Sequence, residues 1–205
     1  VIDPPSPDGR EATESLPPIT VGDIEEIWHA LRPPYEDLFA WVEGLAEQPS
    51  ADAPGRFRPV MLATALDEGL ELPRLDPADF FAEWKWDGIR VQAVREGGQT
   101  RLYSRTGDEI SAAFPDVAAG LHFEGAVDGE LLVIRDGVVA PFGDLQQRLN
   151  RKTASARLIQ DYPAGILAYD LLAEGATDLR QLPLTERRER LERLAAEHDG
   201  ERLGL

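Results

Sequence analysis

The sequence predicts an α+β domain built mainly from antiparallel strands, and three observations lead to this fold class. Beyond Phe80, short runs of alternating apolar and polar residues are separated by Gly and Asp turns, which is typical of β-hairpins. Apolar residues at helical spacing occur before and between these runs. Strand and helix do not alternate regularly, so a parallel doubly wound sheet is not expected. With 42% hydrophobic residues among 205, the chain can bury a substantial core.

The first part of the chain predicts a proline-rich linker followed by two helices. Residues 1–20 contain five prolines and little periodicity, which indicates a loop. Helical spacing from Val21 to Leu31 predicts the first helix, and Pro33-Pro34 separates it from a second helix at about 35–46. We therefore divide the chain into a linker at 1–20, a helical unit at 21–50 and the α+β domain at 51–205.

The rest of the chain predicts short strands and short helices. Strands are expected at Phe81–Trp86, Ile89–Arg95, Thr100–Ser104, Ala126–Ile134, Val138–Phe142 and Gly165–Leu172. Helices are expected at about 112–121, 144–150, 154–161 and 185–197. The last of these helices carries charges of both signs, so we expect a solvated helix without a role in chemistry.

The composition restricts the classes of function. The chain has no cysteine and three scattered histidines, so any metal is expected to be a hard cation on oxygen ligands. No long apolar run or export signal is present, which predicts a soluble cytoplasmic protein without membrane contact. The formal charge of −17 opposes nucleic-acid binding, unless the acidic surface only maintains solubility and conceals cationic patches.

Lysine is scarce in this chain, which has two lysines and nineteen arginines. Arginine stays protonated, whereas a lysine amine can lose its proton and attack an electrophile, so Lys85 is the first candidate for a nucleophile. If its segment is a strand, Glu83, Lys85 and Asp87 share one face, while Trp84 and Trp86 anchor the other face in the core. An ordinary amphipathic edge strand gives the same pattern, so alternation alone leaves both interpretations open.

Four motifs, in this order along the chain, resemble those of the covalent nucleotidyltransferases, the family of ATP-dependent DNA ligases, RNA ligases and mRNA capping enzymes. They are Lys85-x-Asp87-Gly88-x-Arg90, Ser104-Arg105-Thr106-Gly107, Asp128-Gly129-Glu130-Leu131 and Ala168-Tyr169-Asp170-Leu171-Leu172. Two further segments, Arg58–Ala63 and Phe142-x-x-Leu145-Gln146-x-Arg148, are similar to segments of bacterial and archaeal ATP-dependent DNA ligases. The resemblance therefore favours a DNA ligase of bacterial type.

The resemblance implies an adenylation (nucleotidyltransferase) domain at 51–205, preceded at 21–50 by the last helices of an N-terminal DNA-binding domain. The later motifs of the family, a Glu-Gly pair followed by lysine and a Lys-x-Lys pair, do not occur before Leu205, nor does an OB-fold domain. We therefore expect a domain that is incomplete at its C-terminus and shows little or no ligation alone.

The resemblance also implies roles for single residues. Lys85 would attack the α-phosphorus of ATP, and Glu83 would accept a hydrogen bond from the adenine amino group. Tyr169 would stack on the base, while Glu130 and Asp87 would hold Mg²⁺ beside the ribose and phosphates. The predicted nucleotide-binding residues are Glu83, Lys85, Arg90, Arg105, Glu130 and Tyr169, with Lys85 catalytic and with Glu130 and Asp87 as metal ligands.

A cationic stretch is the candidate contact for DNA. Residues 141–158 contain Arg148, Arg151, Lys152 and Arg157 against one acid, Asp144. The predicted DNA-contacting residues are Arg105, Arg148, Arg151 and Lys152, and Arg105 would also meet the 5′-phosphate of a nick. A solvated helix face is the alternative interpretation of this stretch.

The function implied by the resemblance is sealing of nicked double-stranded DNA by a monomeric, cytoplasmic and nucleoid-associated ligase. AMP on Lys85 would pass to the 5′-phosphate of the nick, and the 3′-hydroxyl would then displace AMP. Three alternatives stay open: an RNA ligase or capping enzyme with the same lysine chemistry, a non-catalytic nucleic-acid scaffold, and an acidic domain without nucleotide function.

Overall fold

A seven-stranded sheet forms the centre of the computed structural model, which describes residues 18–149, 151–198 and 202–205. The strands are β1 (Ile89–Glu96), β2 (Gln99–Ser104), β3 (Gly125–Arg135), β4 (Val138–Val139), β5 (Ala164–Glu174), β6 (Thr177–Asp178) and β7 (Leu203–Gly204). Their order is β2-β1-β3-β5-β6, with β4 beside β3 and β7 beside β5. Only the β5–β7 pair is parallel among these strands, which confirms the predicted antiparallel α+β fold class.

Helices flank the sheet at most of the predicted places. They are α1 (Val21–Trp28), α2 (Glu36–Val42), α3 (Pro115–Gly120), α4 (Phe142–Gln146), α5 (Ala156–Asp161) and α6 (Leu184–Glu197). The strand predicted at 138–142 is shorter than expected, because Pro141 lies at the start of α4. Most of the predicted linker, residues 1–17, lies outside the described residues. Asn150, the last residue of the helix predicted at 144–150, also lies outside them. None of the helices in the described ranges has the length and apolar character to cross a bilayer.

The prediction of a strand at Phe81–Trp86 is wrong. This segment is irregular and exposed, with 86% of Trp84 accessible, so neither of its tryptophans anchors the core. The pairing of β1 with β3 ends at Ile89 opposite Leu131, and β3 continues along β5 and β4. Among the residues that the structure describes, no strand pairs with the chain before Ile89, and alternation by itself does not make a strand.

The core lies between the sheet and helices α3, α4 and α6. Phe114, Val127, Leu171 and Leu191 are fully buried and belong to the same apolar cluster. β3 and β5 are buried along almost their whole lengths, which makes them a rigid support for side chains at their ends.

The helical N-terminal segment contacts the sheet through a short connection. Gln92 of β1 bonds both backbone groups of Arg58, at 2.7 and 2.8 Å. Glu26 of α1 bonds Arg180 at 2.5 and 2.9 Å, just after β6, and also pairs with Arg56. These contacts hold the connection against β1 and α1 against the chain just after β6, and they fix where the chain enters the domain.

Candidate active site

A cleft of about 640 Å³ is lined by most of the residues predicted to bind the nucleotide. Glu83, Lys85, Arg90, Glu130 and Tyr169 all line it. The other lining residues are Met61, Leu62, Ala63, Trp84, Trp86, Asp128, Asp170, Leu184 and Arg187. The fold therefore brings together residues from two irregular segments, three strands and one helix.

Strand register explains how the sheet contributes to the cleft. Arg90 of β1 lies directly opposite Glu130 of β3, and Asp128 lies opposite Asp170 of β5. The register between β3 and β5 shifts after Asp128, because Gly129 pairs with Ala168. Tyr169 is the extra residue of this bulge, and a bulge turns a side chain away from regular alternation. Tyr169 and its neighbour in sequence can therefore both face the cleft.

Lys85 lies on the irregular segment before β1. Its side chain is exposed, and it lines the cleft together with Glu83, Glu130 and Tyr169. The same cavity is lined by the carboxylates of four acidic residues and by three aromatic side chains. The cavity is open to solvent at the side of this segment, since residues 81–87 are all exposed.

Arg90 and Asp128 form a fixed ion pair in the floor of the cleft. The Arg90 Nε lies 3.1 and 3.2 Å from the two oxygens of Asp128, and Nη2 lies 2.8 Å from the carbonyl oxygen of Met61. The hydroxyl of Tyr169 donates to Asp128 at 3.4 Å. Burial raises the pKa of Asp128, although the guanidinium opposes this shift, and burial also raises the pKa of Tyr169. Sequence reasoning quoted Asp128 within a motif but missed it as a site residue.

Glu130 and Asp87 are the two predicted metal ligands, and of these two only Glu130 lines the cleft. Burial raises the pKa of Glu130, the backbone N–H of Gly88 lowers it, and the charge of Asp87 raises it again. The described residues contain no group of three or more His, Cys, Asp or Glu that could hold a metal ion. Mg²⁺ commonly uses one or two carboxylates together with substrate phosphates, so this pair of hard oxygen donors fits it.

Gly88 allows the chain to pass close to β3 at this point. A Cβ at this position would collide with the carbonyl oxygen of Leu131 and lie 2.6 Å from a methyl carbon of Leu132. Glycine is therefore required for sterics, and its place between Asp87 and β1 positions both Arg90 and the metal-ligand candidates.

Helix α6 adds two arginines that sequence reasoning missed. Arg187 bonds the carboxylate of Asp170 at 2.8 and 3.0 Å, and it is 7% exposed. Arg188 bonds Glu83 at 3.2 Å. The expectation of a solvated helix without a role is therefore wrong for its inner face. The sequence does contain a signal for this inner face, because Leu184, Arg187 and Leu191 recur at helical spacing on one side of the helix.

The predicted DNA contacts differ in their exposure to solvent. Arg105 lies outside the cleft, exposed in the turn that follows β2. Gly107 of the same turn has φ of 85°, and the ring of His29 lies where a Cβ would stand. Arg151 and Lys152 are exposed, as the prediction requires.

The prediction that Arg148 contacts DNA is wrong, because the side chain is not accessible. Its side chain is fully buried and uses its N–H groups on Asp116 and on the carbonyl oxygens of Ala113 and Tyr162. The guanidinium carbon also lies 4.6 Å from the ring centroid of Phe114. A residue in a cationic stretch can point inward when buried carbonyls and a carboxylate need donors, and no local pattern shows the direction.

Comparisons with known proteins find similar chains among DNA ligases. The chain is 36% identical over 197 residues to a probable DNA ligase of Opitutus terrae, a match that covers 89% of this chain and 18% of that protein. It is 38% identical over 118 residues to DNA ligase 1 of Korarchaeum cryptofilum, which covers 55% of this chain and 22% of that protein. The chain thus spans about a fifth of the length of these relatives.

Solved structures and a family model give further matches. A mycobacterial DNA ligase D complexed with ATP and MES is 27% identical, with a TM-score of 0.48 over 60% of this chain and 38% of that chain. The model of the ATP dependent DNA ligase domain matches residues 60–202, which is more than half of the chain. The matched range contains every residue predicted for the nucleotide site. The chain therefore belongs to the ATP-dependent DNA ligase family.

Proposed function

We propose that this chain forms a covalent lysine–AMP intermediate from ATP and acts within a DNA ligase. The observation that supports this proposal is the cleft in which Lys85 lies with Glu83, Glu130 and Tyr169. A nucleophile, a carboxylate for the base, a carboxylate for the ribose and an aromatic ring are the groups that such a reaction needs.

The adenosine would bind between the bulge of β5 that carries Tyr169 and the segment that carries Glu83. The ring of Tyr169 offers an aromatic face, and stacking on a base contributes about 1–3 kcal/mol. The carboxylate of Glu83 would accept a hydrogen bond from the 6-amino group of adenine. Arg90, held by Asp128, would present its remaining donors to the ribose and phosphates.

The neutral amine of Lys85 would attack the α-phosphorus of ATP in line with the leaving pyrophosphate. A nitrogen–phosphorus bond forms, the bond from the α-phosphorus to the bridging oxygen breaks, and the amine proton passes to solvent. Bound Mg²⁺, on Asp87 and Glu130, would neutralise phosphate charge.

The DNA steps are proposed for the whole protein, because the chain spans only about a fifth of its relatives. AMP would pass from Lys85 to the 5′-phosphate of a nick, and the 3′-hydroxyl would displace AMP to join the strand. Arg105, Arg151 and Lys152 are proposed phosphate contacts. We further propose a monomer associated with the nucleoid, with a linker at 1–20, the end of a DNA-binding domain at 21–50 and the adenylation domain at 51–205.

Labelled ATP tests the lysine chemistry directly. The 205-residue chain is incubated with Mg²⁺ and ATP labelled at the α-phosphorus, and covalent label is measured after denaturing electrophoresis. We expect label on the wild-type chain and none on Lys85→Ala, because the amine forms the bond. Lys152→Ala, which removes the other lysine, should be labelled like the wild type.

Two results would contradict the proposal. Label on Lys85→Ala would show that another residue is the nucleophile. An unlabelled wild-type chain would show that this chain does not form the lysine–AMP bond. With the whole protein, sealing of a nicked DNA duplex in preference to a nicked RNA duplex would distinguish a DNA ligase from an RNA ligase.

A further inference from the structure

One ion pair joins helix α6 to the segment that carries Lys85. Nη1 of Arg188 lies 3.2 Å from Oε1 of Glu83, and Nε of the same arginine lies 3.1 Å from Glu192. Within the described ranges, this is the only hydrogen bond made by a side chain of residues 80–87. The position of Glu83 therefore depends on a single partner.

The two ends of this ion pair differ in how firmly they are held. Glu83 belongs to an irregular and exposed segment, which constrains its side chain little. Arg188 lies on α6, which is anchored by the buried Leu191 and by the bond from Arg187 to Asp170. The helix therefore provides a fixed support for a carboxylate on a loosely held segment.

Helix α6 contacts both sides of the proposed base-binding slot. Arg187 holds Asp170, the residue next to Tyr169, and Arg188 holds Glu83. Two consecutive arginines of one helix therefore bond the strand that carries the proposed stacking ring and the proposed base-reading carboxylate.

The pairing also leaves one oxygen of Glu83 available. Arg188 bonds Oε1, whereas Oε2 makes no hydrogen bond with any residue that the structure describes. The 6-amino group of adenine can donate to that oxygen, while the 6-oxo group of guanine has no hydrogen to donate and is repelled by a carboxylate.

We infer that Arg188 is a positioning residue that orients Glu83 for the amino group of adenine and thereby favours ATP over GTP. This inference rests on the proposed function, since it assigns a second residue to the same nucleotide site. Arg188 acts through Glu83 and needs no contact with the nucleotide.

The expected effect is small because the ion pair is partly exposed. Exposed pairs of this kind contribute a few tenths to one kcal/mol, so removing Arg188 should weaken MgATP binding about two- to fivefold. Removing Glu83 itself deletes a charged hydrogen bond and should weaken MgATP binding about tenfold or more.

Equilibrium dialysis with the 205-residue chain tests this inference. The affinities for MgATP, MgGTP and the Mg²⁺ complex of purine riboside triphosphate, which lacks the 6-amino group, are compared. We expect Arg188→Ala to weaken only MgATP, and to have no further effect in a Glu83→Ala background. Arg190→Ala is the matched control, because Arg190 lies on the same helix and pairs with Glu174 away from the cleft. Arg188→Met, which keeps the apolar stem, should behave like Arg188→Ala.

The outcomes separate the inference from the proposed function. Unchanged MgATP affinity in Arg188→Ala, or equal weakening for all three nucleotides, would overturn the positioning role while the ATP site stands. An effect of Arg188→Ala that persists without Glu83 would also overturn it. A wild-type chain that binds no MgATP would overturn the proposed function and the inference together.

Discussion

Buried arginines are the main feature of this chain at the scale of single residues. Arg90, Arg148 and Arg187 each bond an aspartate, with side-chain exposures of 20%, 0% and 8%. A planar guanidinium offers five N–H donors, so it can satisfy a carboxylate and nearby carbonyl oxygens together. The abundance of arginine therefore has a structural basis, in addition to the chemical reason that singles out Lys85.

Replacement of Arg148 should lower stability rather than DNA affinity. Arg148→Ala leaves Asp116 and two carbonyl oxygens without their donors, and breaking a buried pair costs about 3–5 kcal/mol. Urea unfolding measures this change. The matched variant Arg151→Ala should leave the free energy of unfolding nearly unchanged and weaken DNA binding with a smaller salt dependence. A stable Arg148→Ala protein with weakened DNA binding would restore the original assignment.

Replacement of Gly88 should disturb the site through sterics. The Cβ of Gly88→Ala would meet the backbone of Leu131, and overpacking of this kind costs about 1–3 kcal/mol. Urea unfolding and MgATP binding should both be weakened, because Asp87 and Arg90 flank the glycine. Gly143→Ala in α4 is the control, since its Cβ meets nothing within 4 Å, and its stability should be equal or higher. Equal stabilities for the two variants would contradict the close approach.

At the scale of elements, helix α6 and strand β5 work as one unit. Arg187 of α6 bonds Asp170 of β5 and also the carbonyl oxygen of Leu182, at 2.5 Å. The helix closes one side of the cleft because its inner face is buried against the sheet. The sequence analysis predicted the bounds of this helix to within one residue. It predicted a solvated helix, whereas Arg187 and Leu191 are buried.

Removal of Arg187 should destabilise the protein by leaving a buried carboxylate unpaired. We expect Arg187→Ala to lower the free energy of unfolding by about 3–5 kcal/mol, measured with urea. Arg193→Ala is the control, because Arg193 is exposed on the same helix. The double variant Arg187→Leu with Asp170→Leu should recover much of the loss, since neither charge is then buried. A double variant no more stable than Arg187→Ala would show that the ion pair is not the cause.

At the scale of the whole molecule, an N-terminal helix is attached to the sheet by polar contacts. Glu26 bonds Arg180 and Arg56, and these cations hold the pKa of Glu26 below its usual value although burial opposes the shift. The ring of His29 packs against Phe57, with centroids 4.6 Å apart, and against Gly107. This attachment places α1 against the turn that carries Arg105.

This attachment should weaken in mild acid. Burial lowers the pKa of His29 from its usual 6.5, although Asp108 and Glu25 oppose the shift. The unfolded chain then binds more protons, so stability is complete above pH 6.5 and is lost as the pH falls from there toward the lowered value. Urea unfolding from about pH 7.5 to about pH 5.5 should show this loss, and His29→Gln should reduce it.

Salt provides the control for the pH experiment. Burial is the largest cause of the His29 shift, so the loss should persist at about 0.5 M NaCl, where charge interactions are screened. Glu26 and Glu96 also have lowered pKa values, but their contribution is lost only below their usual 4.5. A loss of stability that first begins below that pH would contradict a role for His29.

Local sequence patterns were sufficient to predict the antiparallel α+β class, the positions of the main strands along the chain and the family to which the motifs belong. Alternation, helical spacing and residue type are local properties, so they can be read from the sequence without the tertiary structure. Five of the six predicted nucleotide-site residues accordingly lie in one cleft.

The folded chain was needed to show that Arg148 points inward, that residues 81–86 lie outside the sheet and that Arg188 reaches Glu83. Each of these facts depends on groups that lie far apart in the chain, such as the 105 positions between Glu83 and Arg188. Strand pairing and burial select among directions that a side chain could take, and a local pattern contains no information about the selected partner.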